Sequence, residues 1–177
     1  MSCALTKGRI VPCKNKSGSI KAVYFADFGT LGTVTFTGTE VTGFNGSPTL
    51  YKYDVRGTTN LDTVVTSSRE NGTTFYTQTL TLQLQYYDRD TSEQIKLLAV
   101  GRPHIIVVDA DDNYLLVGRV NGAELTTGNF TVGANMGDFN GFNLTFEALE
   151  TAPPDFVLST AVTSETEGAQ INTFPTA

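Results

Sequence analysis

Residues 75–87 constrain this chain more than any other segment. Tyr76, Gln78, Leu80, Leu82, Leu84 and Tyr86 alternate with Phe75, Thr77, Thr79, Thr81, Gln83, Gln85 and Tyr87. Such period-2 alternation puts one apolar row and one row of uncharged Thr and Gln on opposite faces of a strand. At ~3.3 Å per residue the strand is about 40 Å long, well beyond the usual ~5–6 residues. A face that is polar yet uncharged suits a wall or a subunit interface better than a catalytic pocket.

The rest of the chain reads as further short strands. Residues 20–28 and 33–37 are two, separated by the turn Gly29-Thr30-Leu31-Gly32. Residues 49–56, 61–69 and the long strand are expected to form a three-stranded meander, its last turn carried by Asn71-Gly72, a strong hairpin dipeptide. One helix is expected near 91–101. Asp90 or Thr91 would cap it, Ile95, Leu98 and Ala99 form its apolar stripe, and Gly101 with Pro103 ends it. Strands at 104–108, 114–120 and 139–149 complete the pattern. The fold class is therefore all-β, a mainly antiparallel β-sandwich or barrel with one short flanking α-helix. The leucine row is expected to pack under that helix. Residues 1–150 read as a single domain with an N-terminal arm, and 151–177 as an acidic Ser/Thr-rich C-terminal arm.

Charge is unevenly distributed. The net charge is −6, which disfavours binding to nucleic acid or to anionic membrane. Residues 1–56 hold seven Lys/Arg against three Asp/Glu, residues 57–119 five against eight, and residues 120–177 none against seven. A subunit with basic and acidic regions can contact its own copies head to tail, a heterologous arrangement that generates rings or filaments. No apolar run approaches the ~20 residues of a membrane span, and the N-terminus lacks a signal-peptide core. The expected setting is a cytoplasm. Cys3 and Cys13 read as reduced structural thiols, with a disulfide across an N-terminal hairpin as the alternative under oxidising conditions.

Catalytic vocabulary is sparse. Asp109, Asp111, Asp112 and Asn113 invite a calcium reading, but Tyr114 and Val120 stand where an EF-hand loop needs Gly and Glu, so a hairpin turn is the reading. His104 is the one histidine, and no nucleophile elbow accompanies it. Glu147 and Glu150 form a carboxylate pair of unspecified separation. Tyr51, Tyr53, Tyr76, Tyr86 and Tyr87 suit core or interface packing, with a sugar-stacking platform as the alternative. No cofactor, no metal and no enzymatic activity are expected.

Four pieces, in order, resemble the tail-tube protein family of tailed bacteriophages, as found in phages of Bacteroidetes-type hosts. They are Cys3-Ala4-Leu5-Thr6-Lys7-Gly8-Arg9 with Cys13-Lys14 and the segment 18–25; Glu70-Asn71-Gly72 with the start of the long strand; Glu93-Gln94-Ile95-Lys96-Leu97-Leu98-Ala99; and the segment 136–147. The resemblance spans residues 1–150 and stops at the acidic extension. It implies a virion structural protein, assembled in the bacterial host cytoplasm. It also implies rings, hexameric in the family, whose strands join around a lumen. Rings would stack, other tail proteins would join them, and DNA would pass without specific binding. Thr77, Thr79, Thr81, Gln83 and Gln85 are then the face expected at the lumen or at a neighbouring subunit. Other virion roles stay open: a connector, a baseplate ring, or a capsid-surface or carbohydrate-binding β-sandwich.

Overall fold

The computed structural model describes residues 7–11, 13, 14 and 16–162. Among these residues eleven strands form two sheets. The larger sheet contains β1 (Ile20–Ala26), β2 (Val34–Thr37), β3 (Glu40–Phe44), β4 (Tyr51–Asp54), β7 (His104–Asp109), β8 (Tyr114–Val117) and β11 (Asp155–Val157), in the order β2-β3-β11-β8-β7-β1-β4. The smaller contains β5 (Asn60–Ser68), β6 (Thr73–Gln85), β9 (Glu124–Val132) and β10 (Asn140–Glu150), in the order β5-β6-β10-β9. Neighbouring strands are antiparallel except β11 and β3, which run parallel. One helix, α1 (Arg89–Val100), flanks the sheets. The fold is thus β-rich, two-layered and mainly antiparallel, with one short helix.

The period-2 reading of the long strand explains the main core. Leu80, Leu82 and Leu84 of β6 join Phe142, Leu144, Phe146 and Ala148 of β10 against Val23 and Phe25 of β1 and Ile105 and Val107 of β7. Each fully buried Leu or Phe contributes about 1.5–3 kcal/mol. The leucine row therefore packs beneath the larger sheet, not under the helix as expected. Helix α1 contributes Ile95 and Leu98 at the side of this core and packs against β9.

β1 and β7 are buried on both faces. Their second face, with Ala22, Tyr24, Ile106 and Val108, meets Leu31, Val41, Leu50 and Val157. These residues come from the sheet's own distant strands and connections, so the sheet curls over itself. Gly46 makes that possible at one point. A Cβ there would collide with the Thr30 carbonyl oxygen and the Leu31 carbonyl carbon, where the loop before β4 crosses the loop before β2.

Other departures have local causes. The expected meander is split: β4 pairs with β1, whereas β5 and β6 belong to the other sheet. The chain crosses between layers at 55–59, where the Val55 N–H donates to the Lys21 carbonyl and Gly57 takes a φ of 110°. The helix begins earlier than expected because Asp88 is extended and its carboxylate accepts the Thr91 N–H at 2.9 Å, which makes it the cap in place of Asp90 or Thr91. The C-terminal stretch expected to be an arm from 151 onward starts with β11, whose Val157 is buried in the second core. Residues 163–177 and Cys3 lie outside the described residues. Cys13 is exposed and unbridged.

The β7–β8 turn is the hairpin expected at 109–113. One Asp109 oxygen accepts the Asp111 and Asn113 N–H groups at 2.9 and 2.8 Å, and the other accepts from the Asn113 amide at 2.7 Å. Lys16 and Lys21 pair with Asp111 and Asp112 at 3.4 and 2.7 Å. Burial alone would raise the Asp109 carboxyl. The Asn113 and Asp111 donors and the Lys16 charge outweigh it and hold the group below its ordinary value of 3.8. A lowered folded value stabilises the fold above the ordinary one and is lost as pH falls through the folded one. Asp109→Asn therefore lowers the thermal unfolding midpoint at neutral pH. The gap from wild type narrows as pH drops below 3.8, which thermal melts across that range measure.

Candidate functional site

The site expected from sequence was the Thr/Gln face of the long strand. The structure places it on the outer face of the smaller sheet, turned away from the core. Thr77, Thr79, Thr81 and Gln83 are half-buried among their cross-strand neighbours, and Gln85 is exposed. The register extends this face across four strands. Thr79 lies between Asp62 and Glu147, and Glu147 in turn lies beside Glu124. Thr81 lies between Asn60 and Thr145, followed by Thr127; Gln83 is followed by Asn143 and Asn129. Gln85 pairs with Gly141 and then Thr131. Thr77 lies between Val64 and Leu149. At the Gln85 end the 57–59 turn lies alongside: the Gln83 carboxamide oxygen accepts the Thr58 N–H at 3.4 Å.

β-branched Thr packs well on a pleated surface and pairs across strands, so this face is stable without charge. Its electrostatics are one-sided. None of the residues in β5, β6, β9 and β10 is Lys or Arg, and Asp62, Glu124 and Glu147 line one row. A polyanion finds no cation there.

Among the described residues no strand pairs beyond β5 or β9, and α1 packs against β9. β5 and β9 are nine residues long, and neither contains Pro or Lys. Edge strands normally carry such residues, because unpaired N–H and C=O groups template pairing with another chain. The β5–β6 hairpin also runs past β10, whose last partner on β6 is Tyr76. Val64 and Val65, opposite Thr77 and Tyr76 at the last two positions that β10 reaches, are 51% and 56% exposed.

The other residues singled out from sequence do not converge. His104 is buried and both its ring nitrogens are engaged by backbone: Nε2 accepts the Gly29 N–H at 3.1 Å, so Nδ1 carries the proton and donates to the Gly118 carbonyl at 2.6 Å. Glu147 and Glu150 are three apart on one strand and point to opposite faces. Glu150 is buried and accepts the Val120 and Asn121 N–H groups, both at 2.8 Å. Gln78, the polar interruption of the leucine row, accepts the Gly118 N–H at 3.1 Å and donates to the Ala152 carbonyl at 3.0 Å. Gln78, His104 and Glu150 thus hold the connection at 118–122, which carries the chain from the larger to the smaller sheet. Sequence reasoning gave this trio no role. The signal available was a glutamine set in an apolar row.

Tyr87 stacks on Phe142 at 5.0 Å, and Tyr53 meets Phe25 edge-on at 5.1 Å, both packing roles. Among the described residues no group of His, Cys, Asp and Glu is placed to hold a metal, and no helix is long and apolar enough to cross a membrane. Comparison with protein-family models, with curated proteins and with solved structures finds no match.

Proposed function

We propose that the chain is a self-assembling ring subunit that builds a tube for passage of a nucleic acid, as the tail-tube proteins of bacteriophages do. The observation that carries this reading is the smaller sheet: uncharged-polar to acidic outside, free of Lys and Arg, and with no strand paired beyond β5 or β9 among the described residues. Its four strands alternate in direction, so β5 and β9 run opposite ways. The β9 edge of one copy can therefore pair with the β5 edge of the next and continue the antiparallel order. Repetition of that heterologous contact closes a ring and removes every exposed edge of this sheet.

Six copies, the number implied by the family resemblance, give a barrel of 24 strands. At ~4.8 Å per strand and a tilt of about 40°, its diameter is about 48 Å between backbones, wide enough for duplex DNA after side chains are added. With the Thr/Asn/Gln face turned inward and the row of Asp62, Glu124 and Glu147 among it, phosphates meet no counter-charge. DNA slides and does not bind. In this reading the protein is part of a phage virion, contacts further tail proteins, and needs no cofactor.

Sedimentation velocity of the full-length chain over a rising concentration series tests the proposal. The expected result is a discrete ring-sized species that gives way to larger stacks. A single 19.1 kDa species at every concentration contradicts it.

A further inference from the structure

On the side of the sandwich closed by α1, a cavity of about 180 Å³ opens between the helix and the edge strand β4. Its position follows from register. Tyr51 and Tyr53 lie opposite Phe25 and Val23, so both tyrosines share the core-facing side of the larger sheet. β4 is the last strand there, and α1 is the element that faces it, with Gln94, Leu97 and Leu98 on the cavity wall. Phe25 and the tyrosine rings supply apolar surface. Asp27, Gln94 and Arg102, all three exposed, also line it.

Two of these side chains bond nothing else in the fold. Among the described residues, neither the Asp27 carboxylate nor the Gln94 amide has a hydrogen-bond partner in the chain. Among the described residues Arg102 has no ion-pair partner; its guanidinium rests over the Phe28 ring at 4.5 Å. Tyr51 is 40% exposed.

The mixture restricts what fits. An apolar ligand would offer these groups no partner in place of the water it displaces. A simple anion would face Asp27, and a simple cation would face Arg102. A neutral ligand rich in hydroxyls satisfies all three, because each hydroxyl both donates and accepts. The cavity equals about six water volumes and falls below the ~300 Å³ of a drug-sized site, so the ligand is a single ring.

We propose that this cavity is a saccharide-binding subsite. It takes one neutral pyranose, whose C–H face lies on Tyr51 and whose hydroxyls reach Asp27, Gln94 and Arg102. The subsite is independent of ring formation, since it uses neither β5 nor β9.

Saturation-transfer difference NMR on the full-length protein tests it, with methyl glucoside, methyl galactoside and N-acetylglucosamine as probes. At least one sugar is expected to receive saturation. Tyr51→Ala and Gln94→Ala are each expected to weaken it about tenfold, the loss of roughly one good contact. Gln94 is exposed on the helix, so its variant keeps the fold even if Tyr51→Ala does not. Absence of transfer to all three sugars overturns the proposal. So does transfer that is unchanged in both variants, or transfer to the zwitterion glycine with none to the sugars.

Discussion

Val65→Pro leaves a folded monomer and abolishes ring formation. The Thr63 N–H donates to the Asp62 carboxylate at 3.0 Å instead of reaching β6, so the odd-numbered residues of β5 turn their backbone groups to the open edge. Val65, two residues on, has the same orientation and is largely exposed. Proline there removes only an N–H that the monomer does not use, and edge strands tolerate it. The expected change in monomer stability is at most about 1 kcal/mol. Every copy-to-copy contact in the ring, however, loses a ladder bond and meets the pyrrolidine ring. Sedimentation velocity is expected to show the ring-sized species replaced by monomer. Val64→Pro is the contrasting variant. Val64 is aligned with Thr77 and turns its N–H toward β6, so proline there disrupts the hairpin itself. Normal rings from Val65→Pro would place the subunit contact elsewhere than β5.

Phe146→Ala is expected to cost about 3–5 kcal/mol, the usual range for a buried aromatic ring. Phe146 is wholly buried between the sheets, 5.3 Å from the Phe25 ring and flanked on its own sheet by Leu80 and Leu125. Strands on both sides hold the backbone in place, so the space it leaves closes only in part. Against a total stability of about 5–15 kcal/mol this is a large fraction. With a urea slope of about 2–3 kcal/mol per molar, the midpoint should fall by roughly 1–2 M in equilibrium unfolding. A shift below about 0.3 M would mean that the two sheets do not pack through this ring.

The parts of the fold that were legible in the sequence are those with unbroken alternation. β6 alternates from Thr77 to Leu84 and β10 from Phe142 to Leu149, so their inward rows are legible, although the long strand runs from Thr73 and ends at Gln85, before Tyr86 with its φ of 74°, and not at Tyr87. β1 and β7, buried on both faces, read as plain apolar runs. β9 was missed for a physical reason. Its register slips opposite Thr145 and Phe146, so Leu125 and Phe130 face inward on opposite parity, and Gly128 leaves the middle of the inward row empty. β3 is broken by Gly43 and pairs with β2 through a register slip at Thr35 and Phe36, and the three-residue β11 owes its existence to neighbours 39 and more residues away in sequence. The split between the two sheets was hidden for another reason. Strand pairing is a tertiary fact, and a turn at Gly57 reads the same whether the chain folds back or crosses over.

The candidate face was legible residue by residue, since Thr77, Thr79, Thr81, Gln83 and Gln85 share one side of β6. What the sequence concealed was its extent. The acidic row and the absence of Lys and Arg become visible only when β5, β9 and β10 are laid beside β6. The cavity at β4 was equally hidden, because Asp27, Gln94 and Arg102 come from three segments that only the fold brings together.

Negative-stain electron microscopy of the purified full-length protein tests the central claim most directly. The account predicts end-on rings with an open centre, and side-on stacks of them at higher concentration. A field of 19.1 kDa particles with no rings at any concentration would contradict it.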